Sequence, residues 1–239
     1  MDQENVARFY DDFVEKQSST GINARLYSLK KRLLKKGLGR HSRVLELGCG
    51  IGAMTYLITK TVKEGYIESV DLSSASIAHA REKLPQNNIH FAVGDVTTYQ
   101  PVQKDFDFIL LFDVIEHIPL DQHSRLFANL STIAGDSTRI LINIPNPAHV
   151  QHDQHQSPEL LQVIDQPVPI RELVGNIDEN GLELRFFETY SIWLRDDYQF
   201  FEITLKQPFR RIRLQDGLSF FPRMLGHLQR AWRKRINRF

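Results

Sequence analysis

The stretch Val44-Leu45-Glu46-Leu47-Gly48-Cys49-Gly50-Ile51-Gly52 limits the fold more than any other part of the chain. Arg43 to Leu47 is an apolar run of strand length, and three glycines at alternate positions follow it directly. Without a Cβ the backbone can turn sharply there and come close to a ligand. A helical run through Ala53 to Lys60 comes next, and the first N–H groups of a helix, unpaired within it, form a positive dipole end. Strand, glycine turn and helix in that order form the opening unit of an α/β sheet with a ligand at the carboxyl ends of its strands. Gly48, Gly50 and Ala53 also fit the dinucleotide spacing G-x-G-x-x-A, so the turn alone does not choose between ligands.

The rest of the chain repeats the alternation. Ile67 to Val70, His90 to Val93, Phe106 to Phe112 and Arg139 to Ile144 read as strands, and nearly unbroken apolar runs of this kind belong to parallel sheets covered on both faces. Asp71 ends the second strand, and Ser73 or Ser74 caps a helix that stops before Pro85. A helix runs from about Gln122 to Ala134, and another from Pro169 to Asn180 ends at Gly181. Leu182 to Tyr190 and Tyr198 to Leu205 are aromatic-rich strands whose short connection makes them antiparallel neighbours. Upstream, Phe9, Phe13, Ile22, Leu26, Leu29, Leu33 and Leu34 recur at helical steps, with a loop around Ser18 to Gly21 and an end at Gly37 and Gly39. The expectation is a three-layer α/β domain over 1–205. It has a seven-stranded, mostly parallel sheet with one antiparallel strand, and residues 1–40 form an N-terminal helical lid.

Acidic residues at successive strand ends identify the ligand. Glu46 precedes the first glycine by two residues, where a pyrophosphate would meet an unwelcome anion and an ammonium group a useful one. Asp71 stands where a carboxylate can take two ribose hydroxyls. Asp95, in Val93-Gly94-Asp95-Val96, can accept from an adenine amino group, with the Val96 N–H placed to donate to the ring. The segments VLELGCGIG, SVDLS, GDV and FDFILLFDVIEHIP together resemble the successive motifs of class I, Rossmann-like S-adenosylmethionine-dependent methyltransferases, over roughly Arg43 to Pro145. The resemblance implies S-adenosylmethionine as cofactor and S-adenosylhomocysteine as product. It implies a cofactor pocket lined by Glu46, Gly48, Cys49, Gly50, Asp71, Leu72, Asp95, Val96 and the backbone near Phe112, closed from above by Tyr10 and Arg25.

Methyl transfer is an in-line displacement at an activated sulfonium, so alignment and exclusion of water do most of the work. A hydroxyl acceptor must also lose its proton, for which a base contributes about 10²–10⁴-fold. Asp113, Glu116 and His117 are the catalytic candidates, with His117 first as general base because histidine ordinarily titrates near pH 6.5. The same D-x-x-E-H segment resembles the E-x-x-E-H site of metal-assisted O-methyltransferases of ubiquinone synthesis and small-RNA end modification. Asp113 replaces the first glutamate there, so no metal ligands are assigned. A further ligand for a divalent metal would come from His149, His152 or His155, in a stretch read as a polar loop.

The acceptor pocket is expected from the N-terminal helices and the insertion Pro145 to Pro169. The segments around Ile144-Pro145-Asn146-Pro147, Ser157 to Pro167, Tyr190 to Trp193 and Asp197 to Phe200 resemble bacterial methyltransferases of surface-polysaccharide and other glycan pathways. They imply O-methylation of a small molecule or sugar precursor, with Trp193, Tyr190 and Tyr198 as stacking surfaces or as core packing.

The net charge of +1 hides an asymmetry. Ten of the thirty Lys and Arg but only Asp216 among the acids lie after residue 205, so this tail carries +9 and the rest −8. Phe221, Met224, Leu225, Leu228, Trp232 and Ile236 recur there at helical steps between arginines. Residues 206–239 therefore form a basic amphipathic segment for an anionic membrane surface or a dimer partner. A nucleic-acid methyltransferase and a non-catalytic cofactor-binding protein are the alternatives. The acidic body offers nucleic acid no broad basic face, and Glu46 and Asp95 argue against a nicotinamide oxidoreductase. The single cysteine excludes an intrachain disulfide. The polar, acidic start does not read as a signal peptide, and no run reaches the roughly 18 apolar residues of a membrane span. A cytoplasmic protein is expected, peripheral to the inner membrane face where the tail docks.

Overall fold

Five apolar segments pair side by side and in parallel to form the larger part of the sheet in a computed structural model that describes residue 19 and residues 21–157 and 164–209. They are β1 (Arg43–Leu47), β2 (Tyr66–Asp71), β3 (Ile89–Val93), β4 (Phe108–Phe112) and β5 (Arg139–Pro145). Val44, Leu45, Ile109, Leu110, Leu141 and Ile142 are fully buried, because helices cover both faces and leave no wet side on which polar residues could alternate. The hairpin of β6 (Leu182–Tyr190) and β7 (Tyr198–Leu205) completes the order β3-β2-β1-β4-β5-β7-β6. β7 runs antiparallel to both β5 and β6, which is the expected reversed strand next to the edge.

One covering layer contains α1 (Ala24–Lys35) and α2 (Ala53–Thr59), whose Leu29, Leu33 and Ile58 pack with Val44, Phe108 and Phe200. The opposite layer contains α4 (His123–Ile133) and α6 (Ile170–Glu179), whose Leu126, Phe127, Leu130 and Leu173 meet Ile109, Leu111 and Ile142. Between β2 and β3, α3 (Ser74–Lys83) packs Ile77 and Ala80 against Phe91. Its N-cap is Ser73, whose hydroxyl accepts from the Ser76 N–H at 3.0 Å.

Three sequence expectations need correction or limits. The stretch holding His149, His152 and His155 is not a loop but a helix, α5 (Pro147–Gln156). Asn146 caps it by accepting from the Ala148 N–H at 3.0 Å, Pro147 fits its first turn, and Val150 alone is buried. Ser19 is helical, and the turn that follows is marked by Gly21 at φ 58°. Tyr10, the first part of the 1–40 lid, residues 158–163 and the tail beyond 209 lie outside the described residues. No helix among the described residues is long and apolar enough to cross a membrane.

β1 lies between β2 and β4, so chain connections leave it in opposite directions along the sheet. A crevice opens at such a reversal, at the carboxyl ends of the strands. The glycine turn after β1 and the Asp113–His117 segment after β4 both lie at that end.

Candidate active site

The glycine turn is held in a conformation that side chains would block. Gly48 lies at φ 80°, and a Cβ on it would come within 2.3 Å of Val114 Cγ2. The N–H groups of Gly48 and Cys49 both donate to Val70 O, at 2.8 and 2.9 Å, which folds the turn across the end of β2. Gly50 donates its N–H to Asp71 Oδ2 at 2.7 Å, while Asp71 Oδ1 accepts from the Ser73 N–H at 2.9 Å. Asp71 thus ties the glycine turn to the start of α3. Leu72, next to it, is half-buried.

Glu46 is 4% exposed, and its Oε2 accepts from the hydroxyls of Thr55 (2.6 Å) and Ser69 (3.1 Å). Burial pushes its carboxyl up to about 7; the two hydroxyl bonds partly offset the shift and Asp71 adds to it. The same burial, with Asp71 and Glu46 close by, holds the Cys49 thiol far above its ordinary range and therefore neutral. Asp95 accepts from the Thr97 N–H and hydroxyl, each at 2.8 Å. Val96 beside it is buried, and its carbonyl accepts from Asn129. Phe112 is half-buried, with its ring 6.4 Å from that of Phe200. Glu46, Cys49, Asp71 and Asp95 thus stand at the carboxyl ends of three adjacent strands, as their order in the sequence requires.

A second group of side chains gathers after β4. Asp113 takes the left-handed conformation, φ 56°, an uncommon one for a residue other than glycine. Its N–H donates to Asn143 O at 2.8 Å, and its Oδ1 accepts from Asn143 Nδ2 at 2.8 Å. Its Oδ2 forms an ion pair with Arg25, which comes from the first turn of α1. Burial works against the Arg25 charge, but Asp113, Tyr198 and Glu116 more than offset it. Asn143 Oδ1 accepts from the Tyr190 hydroxyl at 2.6 Å, so an arginine, an aspartate, an asparagine and a tyrosine form one buried chain of bonds. Sequence reasoning gave Arg25 to the cofactor pocket; its partners here are Asp113 and Tyr198. Tyr190 and Tyr198 are buried, with rings 5.9 Å apart, and belong to the packing of the hairpin. Trp193, 56% exposed, stands edge-on to Tyr198. Its loop is held by Asp197, which accepts from the N–H groups of Ile192, Trp193 and Leu194 at 2.8 to 3.0 Å.

Glu116 and His117 share a single-turn helix, Ile115–His117. Residues 164–166, from the end of the insertion, attach to this turn. His117 Nδ1 lies 2.5 Å from Ile164 O and 3.3 Å from Asp165 Oδ1. The Gln166 N–H donates to Glu116 O at 3.2 Å, and its side-chain amide donates to Ile118 O. From below, buried His123 places Nε2 at 2.9 Å from both Ile115 O and Ile118 O. A nitrogen facing two carbonyl oxygens is a donor, so His123 carries its proton there. Two acceptors around His117 Nδ1 likewise make it the protonated nitrogen, and basicity resides at Nε2. Glu116 is 1% exposed, and neither of its carboxylate oxygens has a side-chain hydrogen-bond partner among the described residues. Burial first, and then Asp113 beside it, push its carboxyl well above the ordinary range.

Asp165, Asn143, Gln166 and His123 were not among the predicted site residues. Asn143 left one signal, as a lone amide inside the apolar strand Arg139–Pro145, whereas Asp165 left none. On α5, His149 and His152 both lie near Asp153, at 3.5 and 3.2 Å, and not at the Asp113–His117 turn. Among the described residues no group of three or more His, Cys, Asp or Glu is arranged to hold a metal ion.

Residues 44–134 match the family model described as a methyltransferase domain. The chain is 28% identical over 148 residues to a trans-aconitate 2-methyltransferase of Variovorax paradoxus, covering 61% of this chain and 53% of the relative. It is 30% identical over 128 residues to a malonyl-[acyl-carrier protein] O-methyltransferase of Ilyobacter polytropus, covering 53% and 44%. The chain thus spans about half the length of the curated relatives it matches. Among solved structures it resembles the N-methyltransferase NodS of Bradyrhizobium japonicum in complex with S-adenosylhomocysteine (TM-score 0.61, 16% identity, 76% of this chain and 87% of that one). It also resembles a TehB-like S-adenosylmethionine-dependent methyltransferase of Corynebacterium glutamicum (0.59, 19%, 85% and 98%). These likenesses give the fold.

Proposed function

We propose, from the premise that the chain carries a class I methyltransferase domain, that it moves a methyl group from S-adenosylmethionine to a hydroxyl of a small molecule or sugar precursor. Bound S-adenosylmethionine supplies an electrophilic methyl group on a sulfonium, and its demethylated product, S-adenosylhomocysteine, is the ligand in the related NodS structure. The residues present fit such a ligand. A glycine cradle that a Cβ at Gly48 would fill lies beside Glu46, whose Oε1 remains to accept from an ammonium group. Asp71, anchored by two backbone N–H groups, is the residue for the ribose hydroxyls, and Asp95 with the Val96 N–H, one strand further along, is for the adenine. Cys49, Gly50, Leu72 and Phe112 complete the lining.

The acceptor side carries the choice of a hydroxyl, and its support is one observation: His117 Nδ1 engages Ile164 O and Asp165 Oδ1. A histidine oriented through Nδ1 by a carboxylate has the arrangement of a general base, with Nε2 taking the proton. The bound cofactor would supply the methyl group to the acceptor oxygen and be left as S-adenosylhomocysteine, and His117 Nε2 would take the hydroxyl proton. Asp165 balances the imidazolium, and the Arg25–Asp113 pair with Asn143 holds the end of β4 in its strained conformation.

A thermal-shift titration with S-adenosylhomocysteine, beside one with NAD, tests the cofactor. At about 100 times its dissociation constant a ligand of the folded state stabilises it by about 2.7 kcal/mol. A shift with NAD alone overturns the reading. Release of S-adenosylhomocysteine in the presence of hydroxylated sugars, lost in His117→Ala, tests the acceptor chemistry.

A further inference from the structure

We propose that the loop between β6 and β7 docks on an anionic lipid surface, with Trp193 and Leu194 entering the bilayer interface and Arg195 reaching its headgroups. Three consecutive residues stand out at the tip of this loop: Trp193 is 56% exposed, Leu194 57% and the Arg195 side chain 95%. Single exposed apolar side chains are ordinary on a protein surface, whereas a tryptophan and a leucine held out side by side mark a surface that meets something other than water. The loop is built to hold them there. Buried Asp197 accepts from the N–H groups of Ile192 (2.8 Å), Trp193 (2.9 Å) and Leu194 (3.0 Å). The Asp196 N–H donates to Ser191 Oγ at 2.9 Å. Asn146 clamps the loop from β5, its N–H donating to Asp197 O and its side-chain amide to Asp196 O, both at 2.8 Å.

These bonds also choose the partner. The N–H groups of Ile192, Trp193, Leu194 and Asp196 are all satisfied within the loop, so this stretch of backbone can leave water without carrying unpaired donors into lipid. A polar ligand or a protein strand seeking the same N–H groups finds them taken. Tryptophan settles at the boundary between headgroups and acyl chains, and an arginine beside it can keep its charged end in the headgroup layer. Arg195 pairs with Asp196 at 3.6 Å, so the tip adds no net charge of its own. The preference for anionic lipid comes from residues 206–239, whose ten basic residues and single acid are attracted to such a surface. β6 ends at Tyr190 and β7 begins at Tyr198, opposite Pro145 at the end of β5. The tip therefore stands at the carboxyl end of the parallel strands, the end that carries the glycine turn and the Asp113–His117 segment, and docking brings that end of the sheet to the bilayer.

Trp193 and Trp232 are the two tryptophans of the chain, so in Trp232→Phe the emission reports the tip alone. Full-length protein with this substitution is mixed with vesicles of phosphatidylcholine, and with vesicles that also contain phosphatidylglycerol. With the anionic vesicles the Trp193 emission is expected to shift to the blue and to be quenched by lipids brominated on their acyl chains; with phosphatidylcholine alone both effects are weaker. In sedimentation with the anionic vesicles, the double variant Trp193→Ser, Leu194→Ser, shown to be folded by circular dichroism, is expected to bind weaker by about tenfold or more. Protein that sediments with vesicles while its Trp193 emission stays unchanged docks through another segment, and overturns the proposal. So does a double variant that binds like the parent, or sedimentation with neither kind of vesicle. A blue shift that grows with protein concentration in the absence of lipid puts a second copy of the chain on the tip and overturns it too. No arm of the experiment uses S-adenosylhomocysteine or an acceptor, so the methyltransferase reading stands or falls separately.

Discussion

Replacing Glu46 by glutamine should make the folded protein more stable at alkaline pH and leave it unchanged in acid. The carboxyl sits at about 7 in the folded chain, against an ordinary value of 4.5, because burial disfavours its charged form. Its folded value is raised, so the folded state holds the proton more tightly than the unfolded state does. Stability from this group is therefore complete below pH 4.5 and declines as the unfolded carboxyl ionises above it. The decline levels off above pH 7, where both states are ionised. A difference of about 2.5 units corresponds to roughly 3 kcal/mol of lost stability at pH 8 and above. Glutamine keeps an acceptor for Thr55 and Ser69 but has nothing to ionise, so it escapes the loss. Urea unfolding of both proteins from pH 5 to 8.5 reads the difference directly, and other titrating groups cancel in the comparison. The gap should open with pH towards roughly 3 kcal/mol. Parallel curves across the range would refute the assignment of a raised Glu46, and with it the idea that this acid waits for a cation.

Asp71→Ala removes the acceptor for the Gly50 and Ser73 N–H groups and for the ribose, so S-adenosylhomocysteine should bind weaker by more than about 1 kcal/mol in calorimetry; an unchanged dissociation constant would sink the pocket assignment. His117→Ala should lower turnover about 10²-fold or more while leaving affinity for S-adenosylhomocysteine nearly intact; retained turnover would place the base elsewhere. Gly48→Ala brings a Cβ to 2.3 Å from Val114 Cγ2 at φ 80°, and loss of the folded protein on expression is the expected result. Adding Val114→Ala clears the contact but not the backbone strain, so the double variant should fold with a residual cost on the order of 1–2 kcal/mol in its denaturation midpoint. His123→Ala leaves Ile115 O and Ile118 O without their shared donor inside the core, and about 1–3 kcal/mol of stability should go with it.

The strands were legible because each is buried on both faces, and a run such as Phe108–Phe112 has no other stable place in a chain of this size. The residues proposed for the cofactor side could be located for a related reason. Its residues sit at fixed offsets from strand ends, so Glu46, Asp71 and Asp95 inherit their positions from the sheet. The acceptor side is assembled across long separations. Ile164 meets His117 from 47 positions away, and nothing in the local sequence around Asp165 announces that meeting. α5 was missed because periodicity is weak in a helix that buries Val150 alone; its signal was the cap Asn146-Pro147, not its face. Tyr190 and Tyr198 could be read as platforms or as core from composition alone. The bond from the Tyr190 hydroxyl to buried Asn143 settles that they are core.

Glu46 and Glu116 show how the two halves of the crevice differ physically. Both are buried acids, Glu46 near the end of β1 and Glu116 in the turn after the neighbouring parallel strand β4, and burial raises both. Glu46 has two hydroxyl donors from within the fold, so its ionisation comes within reach of neutral pH before any ligand arrives. Glu116 has no side-chain donor among the described residues, and Asp113 beside it opposes its charge. One acid is thus held by hydroxyls of the core, whereas the other is not. The sheet can prepare the first because Thr55 and Ser69 stand on elements whose positions the core fixes. The second lies on a turn held from one side by His123 and from the other by residues 164–166, so its surroundings follow the insertion and not the sheet. Changes in that insertion can therefore alter the acceptor without disturbing the glycine turn, which no residue of 164–166 contacts through any of these bonds. The stable half of the crevice belongs to the fold, and the variable half to a segment that only docks upon it.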